Sequence, residues 1–106
     1  MIRGLLTLFC LIAAFAAFSQ KVSLYIIGDA GKPKFPDPTL TYLQKVTQEA
    51  TENDVLIFLG DNIYPSGMPS KESPVRADME QRLAASLDVM KSFKGKSFII
   101  PGNHDW

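Results

Sequence analysis

Val55-Leu56-Ile57-Phe58-Leu59-Gly60-Asp61-Asn62-Ile63-Tyr64 is the stretch on which the fold turns. Its apolar run has no helical period and stops at Gly-Asp. Such a run predicts a strand over 55–59 buried on both faces, the usual state of a strand in a parallel sheet. The same punctuation recurs on either side. Lys21 to Ile27 is β-branched and aromatic, which predicts a strand ending at Gly28-Asp29. Ser97 to Ile100 predicts a third, short strand ending at Pro101-Gly102-Asn103-His104.

Helical signals fill the intervals. Asp37-Pro38 reads as an N-cap and first helical position, and Leu40, Leu43, Val46 and Ala50 follow at helical spacing up to Asn53-Asp54. Ser73-Pro74 repeats the cap-plus-proline signal. Val75, Met79, Leu83, Leu87 and Met90 then predict a second apolar stripe, closed by Gly95. Gly31 to Pro38, with three prolines, and Pro65 to Ser70 read as loops. The order strand, helix, strand, helix, strand predicts an α/β fold: a βαβαβ unit of parallel strands covered by helices, joined by right-handed crossovers.

The N-terminus has a different character. Arg3 is a positive n-region, Leu5 to Phe18 is uncharged and apolar, and Ala17-Phe18-Ser19 suits signal-peptidase cleavage before Gln20. The expectation is a signal peptide over 1–19, a mature domain over 20–106, and export to the periplasm or the exterior. The apolar run is roughly 14 residues, short of the about 20 that span a bilayer, so no stable membrane span is expected after cleavage. Phe9 before Cys10 is too large for a lipoprotein site. Cys10 is the only cysteine and leaves with the leader. The mature chain therefore has no thiolate, and any metal site must use oxygen and nitrogen donors.

Eleven Lys plus Arg balance 11 Asp plus Glu. Without a basic excess, no electrostatic grip on nucleic acid is expected. No solenoid repeat or low-complexity tract is present.

Chemistry gathers at the strand ends. Ligands bind at the carboxyl ends of the strands in open α/β sheets. Asp29, Asp61 and Asn103 each fall there, one per strand, and His104 follows the third. Taken singly, each is an ordinary turn or cap residue. Taken together, they bring oxygen donors and an imidazole to one edge. Two neighbouring carboxylates cannot both ionise without a proton or cation between them. Such a donor set suits Fe, Mn, Zn or Mg.

At this point the chain resembles the purple acid phosphatase branch of the calcineurin-like metallophosphoesterases. Asp29-Ala30-Gly31 resembles the first motif of that branch, with Gly31 where most other branches carry His. Gly60-Asp61-Asn62-Ile63-Tyr64 resembles the second motif and Gly102-Asn103-His104-Asp105 the third. Order and spacing agree, with Asp61 32 residues after Asp29 and Asn103 42 after Asp61.

The resemblance implies a phosphate-monoester hydrolase with a dinuclear metal centre, Fe(III) paired with Fe(II), Zn or Mn. Asp29 and Tyr64 would bind the first metal, Asp61 would bridge, and Asn103 would bind the second through its carbonyl. His104 would steady the phosphate or protonate the leaving oxygen, and Asp105 is a candidate to orient a histidine. The family also draws histidines from two later motifs, whereas His104 is the only one here. The expectation is the N-terminal half of a metallophosphoesterase domain, inactive without the C-terminal half that completes sheet and metal sites. The alternative is a non-catalytic secreted binding module or remnant that keeps the half-fold.

Overall fold

The computed structural model describes residues 21–106. The expected leader and cleavage site, with Cys10, lie outside the described residues. Strand β1 spans Leu24–Ile27, helix α1 Pro38–Val46 with a 3-10 turn over Thr47–Glu49, and strand β2 Val55–Leu59. Helix α2 covers Arg76–Ser92 and strand β3 Lys96–Ile100. The strands form one parallel sheet in the order β1-β2-β3. The predicted α/β class and its alternation are observed.

Local chemistry accounts for the element ends. Asp37 caps α1: its Oδ1 accepts from Thr39 N and Leu40 N, both at 2.9 Å, and Pro38 opens the helix. These donors hold the Asp37 carboxyl below its ordinary value, the bond from Leu40 having the largest effect. The second cap differs from expectation. Helix α2 begins at Arg76, its N-cap is Val75, and no side chain caps it. Ser73 closes a preceding turn instead, its carbonyl accepting from Arg76 N at 3.0 Å.

The stripe on α2 is also rotated from the predicted one. Met79, Ser86 and Val89 are buried, Leu83 and Leu87 only partly, and Val75 is exposed outside the helix. A spacing of four residues overshoots a 3.6-residue turn, so the apolar row drifts off the core as it climbs.

Leu40 and Leu43 of α1, Leu56 and Phe58 of β2, and Val89 and Phe93 at the end of α2 form one buried cluster. Both helices therefore sit on the face carrying Leu56 and Phe58, with Tyr25 and Ile27 of β1 alongside. The other face holds Leu24, Ile26, Leu59, Phe98 and Ile100, which are all exposed; Leu59 is 49% accessible against 0% for Phe58. The strand expected to be buried on both faces is buried on one, because both crossover helices pack on the same side. Among the described residues nothing layers the opposite face, and no helix is long and apolar enough to cross a membrane.

Asp54 joins the starts of the three strands. Its Oδ1 accepts from Ser23 N at 2.6 Å, just before β1, and its Oδ2 from Thr51 N at 2.7 Å. Its own carbonyl accepts from Lys96 N of β3 at 3.0 Å. The N–H of Thr51, then that of Ser23, hold this buried carboxyl below its ordinary value of 3.8. A lowered folded-state value stabilises the fold above 3.8, and that contribution is lost as pH falls through the lowered value. Asp54→Asn should lower the melting temperature at neutral pH, and the gap to the parent should close on acidification below 3.8. A gap that is constant with pH would refute the assignment. Phe58→Ala should cost about 3–5 kcal/mol in denaturant unfolding. Phe98→Ala on the open face should cost far less, because Phe98 is already half accessible.

Candidate metal centre

The three strands end side by side because they are parallel and paired in sequence order: Ile27 faces Phe58, and Leu59 faces Ile100. Asp29, Asp61 and the 101–105 loop therefore leave the sheet from one edge. Asp29 and Asp61 are both in the left-handed region, at φ 56° and 51°. That conformation is uncommon for a residue with a side chain, although Asp tolerates it better than most. Two adjacent strands thus turn in the same unfavourable way, within one residue of the same level.

Backbone pairing fixes the first two loops. Gly31 N donates to Asp61 O at 2.9 Å, and Tyr64 N donates to Gly31 O at 3.0 Å. A Cβ at Gly31 would collide with the backbone of Asp61, Asn62 and Ile63. Glycine stands at this position because the two loops meet main chain to main chain.

The result is a cluster of oxygens. Tyr64 Oη lies 2.7 Å from Asp29 Oδ1 and 2.9 Å from Asp61 Oδ2. A phenol carries one proton, so it can donate to only one of these carboxylates at a time. The carboxylates push the Tyr64 hydroxyl well above its ordinary value of 10.0, the bond to Asp29 having the largest effect. Asp61 is held below the usual carboxylate value, first by the backbone N–H of His104, which donates to Asp61 Oδ1 at 3.0 Å.

The third loop supplies His104. Its Nδ1 is 2.7 Å from Pro65 O, and its ring lies 4.7 Å from that of Tyr64. A carbonyl oxygen only accepts, so Nδ1 carries the hydrogen and Nε2 is the nitrogen left for chemistry. Asn103 is exposed in the same loop, and its side chain joins none of these bonds.

The expected residues are therefore drawn together unequally. Asp29, Asp61 and Tyr64 touch, His104 adjoins them through its backbone and ring, and Asn103 is near in sequence without a contact. Among the described residues, no three of His, Cys, Asp and Glu gather so as to hold a metal ion. Asp105 orients no histidine among the described residues. Its carboxylate accepts from Asn62, Ile63 and Gly102. Arg82 was not anticipated; from α2 it donates to Tyr64 O at 3.2 Å while pairing with Asp78.

The family model for calcineurin-like phosphoesterase matches residues 22–106. No curated protein and no solved structure matches the chain.

The site's dependence on close main-chain contact can be checked at Gly31. Gly31→Ala should separate the 29–31 and 61–64 loops and break the Tyr64–Asp29 contact, which NMR of the Tyr64 ring would report. An unchanged Tyr64 environment would show that the loops meet less closely than described.

Proposed function

Because the chain belongs to the calcineurin-like phosphoesterase family, we propose that it forms the first half of a purple-acid-phosphatase-like site for phosphate monoesters. Membership makes it a phosphoesterase of a family that binds metal ions. The finer reading is ours. Asp29 and Tyr64 would hold one metal, Asp61 would be shared with a second, Asn103 would serve the second through its carbonyl, and His104 would serve the leaving group. The pair is Fe(III) with Fe(II), Zn or Mn. We also place the chain outside the cytoplasm, on the strength of the leader at 1–19.

The observation that carries this reading is one phenol hydroxyl facing two carboxylates, at 2.7 and 2.9 Å. A single proton satisfies that arrangement incompletely, whereas a hard cation among three oxygens satisfies it fully. The donor set fits one side of a dinuclear centre and is too small for both. His104 is the only histidine, and its Nδ1 is already bonded to Pro65 O. We therefore read the site as completed by further polypeptide that carries the missing histidines. The same segment would also cover the exposed face of Leu24, Ile26, Phe98 and Ile100.

Bound there, the metals would supply charge neutralisation at the phosphoryl oxygens and an activated water. The rest is the work of the chain's own residues. Asp61 stays ionised because the backbone N–H of His104 bonds its carboxylate. Tyr64 is kept in register with Asp29 by the Gly31 main-chain bonds. The bond from Nδ1 to Pro65 O fixes the His104 ring, so that Nε2 of the protonated ring can deliver its hydrogen to a departing alkoxide.

The second reading, a non-catalytic binding module, is favoured by the single histidine. One experiment separates the two. The chain should bind Fe(III) with a visible tyrosinate absorption that Tyr64→Phe removes, and by itself it should not hydrolyse p-nitrophenyl phosphate. A polypeptide that supplies the later histidine motifs should restore hydrolysis, and Asp61→Ala should then lower the rate at least about 100-fold. Full activity with Asp61→Ala would refute the site. Hydrolysis by the chain alone, abolished by Asp61→Ala, would keep the site and refute the half-site reading. Metal binding without any restored turnover would favour the binding module.

A further inference from the structure

We propose that Asp105 is the positioning residue of this site, holding the 61–64 and 102–104 segments in one fixed relation. This rests on the reading that those segments carry metal-binding residues. Asp105 itself touches none of the reacting groups.

A carboxylate offers about four lone-pair sites. At Asp105 four donors are present. Oδ1 accepts from Asn62 N at 2.7 Å and Ile63 N at 2.9 Å. Oδ2 accepts from Gly102 N at 2.7 Å and Asn62 Nδ2 at 2.9 Å. Three of these donors are main-chain N–H groups, and each belongs to a residue next to a proposed ligand. Asn62 follows Asp61, Ile63 precedes Tyr64, and Gly102 precedes Asn103.

The surroundings leave little slack. Asn62 is buried, and its Nδ2 also donates to Ile100 O at 2.8 Å, which ties it to the end of β3. A Cβ at Gly60 would lie 2.8 Å from Gly102 Cα, and one at Gly67 would lie 2.6 Å from Asp105 O. The loops after β2 and β3 thus pack main chain to main chain, with the Asp105 carboxylate between them. Nothing but an ionised carboxylate accepts at all four points. An asparagine of the same shape would present an NH2 to N–H groups and lose at least one bond.

Asp54 provides an internal comparison. It uses the same chemistry at the opposite edge of the sheet, where its partners Ser23 and Thr51 adjoin no proposed ligand. A purely structural role for Asp105 would make the two residues equivalent in their effect on the site.

The test compares Asp105→Asn and Asp54→Asn in the full chain, at a temperature where far-UV circular dichroism shows both folded. The first probe is NMR of the Tyr64 and His104 rings. Asp105→Asn should shift both sets of signals and Asp54→Asn neither; unshifted rings in Asp105→Asn, or equal shifts in both variants, would overturn the proposal. The second probe is titration with Mn(II). Affinity should fall at least tenfold in Asp105→Asn and stay within twofold in Asp54→Asn, and a loss under twofold in Asp105→Asn would overturn the proposal. If the parent chain bound no Mn(II), the metal-site reading would fail, and the ring signals would still decide the role of Asp105. Should Asp105→Asn not fold, hydrogen exchange on the parent decides. Slow exchange at Asn62, Ile63 and Gly102 supports the arrangement, and fast exchange at those amides overturns it.

Discussion

Parallel pairing in sequence order is the constraint from which the site follows. Because β1, β2 and β3 are adjacent and parallel, each Gly-Asp or Gly-Asn exit leaves the sheet from the same edge. Antiparallel pairing would send Asp61 to the far end of the sheet from Asp29. The register brings Ile27 beside Phe58, and the chain has turned left-handed two residues on at Asp29 and three residues on at Asp61. The hydroxyl of Tyr64 then reaches both carboxylates. Each contact at the centre is a consequence of strand order before it is a consequence of side-chain chemistry.

The two edges of the sheet use carboxylates for different ends. At the entry edge, Asp54 is buried and accepts hydrogen bonds from Ser23 and Thr51, so its charge is spent on holding strands together. At the exit edge, Asp105 takes up the loop amides with the same chemistry, which leaves Asp29 and Asp61 without such duty apart from the His104 N–H on Asp61. A carboxylate already bonded to several N–H groups has little capacity left for a cation. The division of labour is therefore physical: Asp54 and Asp105 are saturated by donors, whereas Asp29 and Asp61 face each other across a single hydroxyl.

What the sequence disclosed divides along the same line between local and distant causes. Asp37-Pro38 was legible as a cap because the cap's partners lie within three residues. The strand at 55–59 was legible because an unbroken apolar run ending in Gly-Asp admits few other states. Ser73-Pro74 carried the same local signal and misled, since the turn there closes onto Arg76 and no side chain caps the helix. The exposed face of β2 was illegible: an apolar run records that both faces are apolar, and says nothing of which side the crossovers choose. Asp29, Asp61 and Tyr64 could be picked out as candidates, while their mutual contact could not, because it spans 35 residues of chain. Asp105 shows the limit most clearly. Its partners Asn62 and Ile63 lie more than 40 positions away, and they are main-chain groups that carry no mark in the sequence.

The hydroxyl between the carboxylates also bears on how the protein would take up a metal. With the two carboxylates beside it, Tyr64 holds its proton far more tightly than a free tyrosine does. A metal ligated by this phenol must displace that proton, so uptake is coupled to proton release. The same carboxylates that resist ionisation of the phenol are the charges that attract the cation. A cation of charge two or three among them would reverse the sign of the local field and favour the phenolate. On the proposed reading, proton and metal would be alternative occupants of one charge-balancing position.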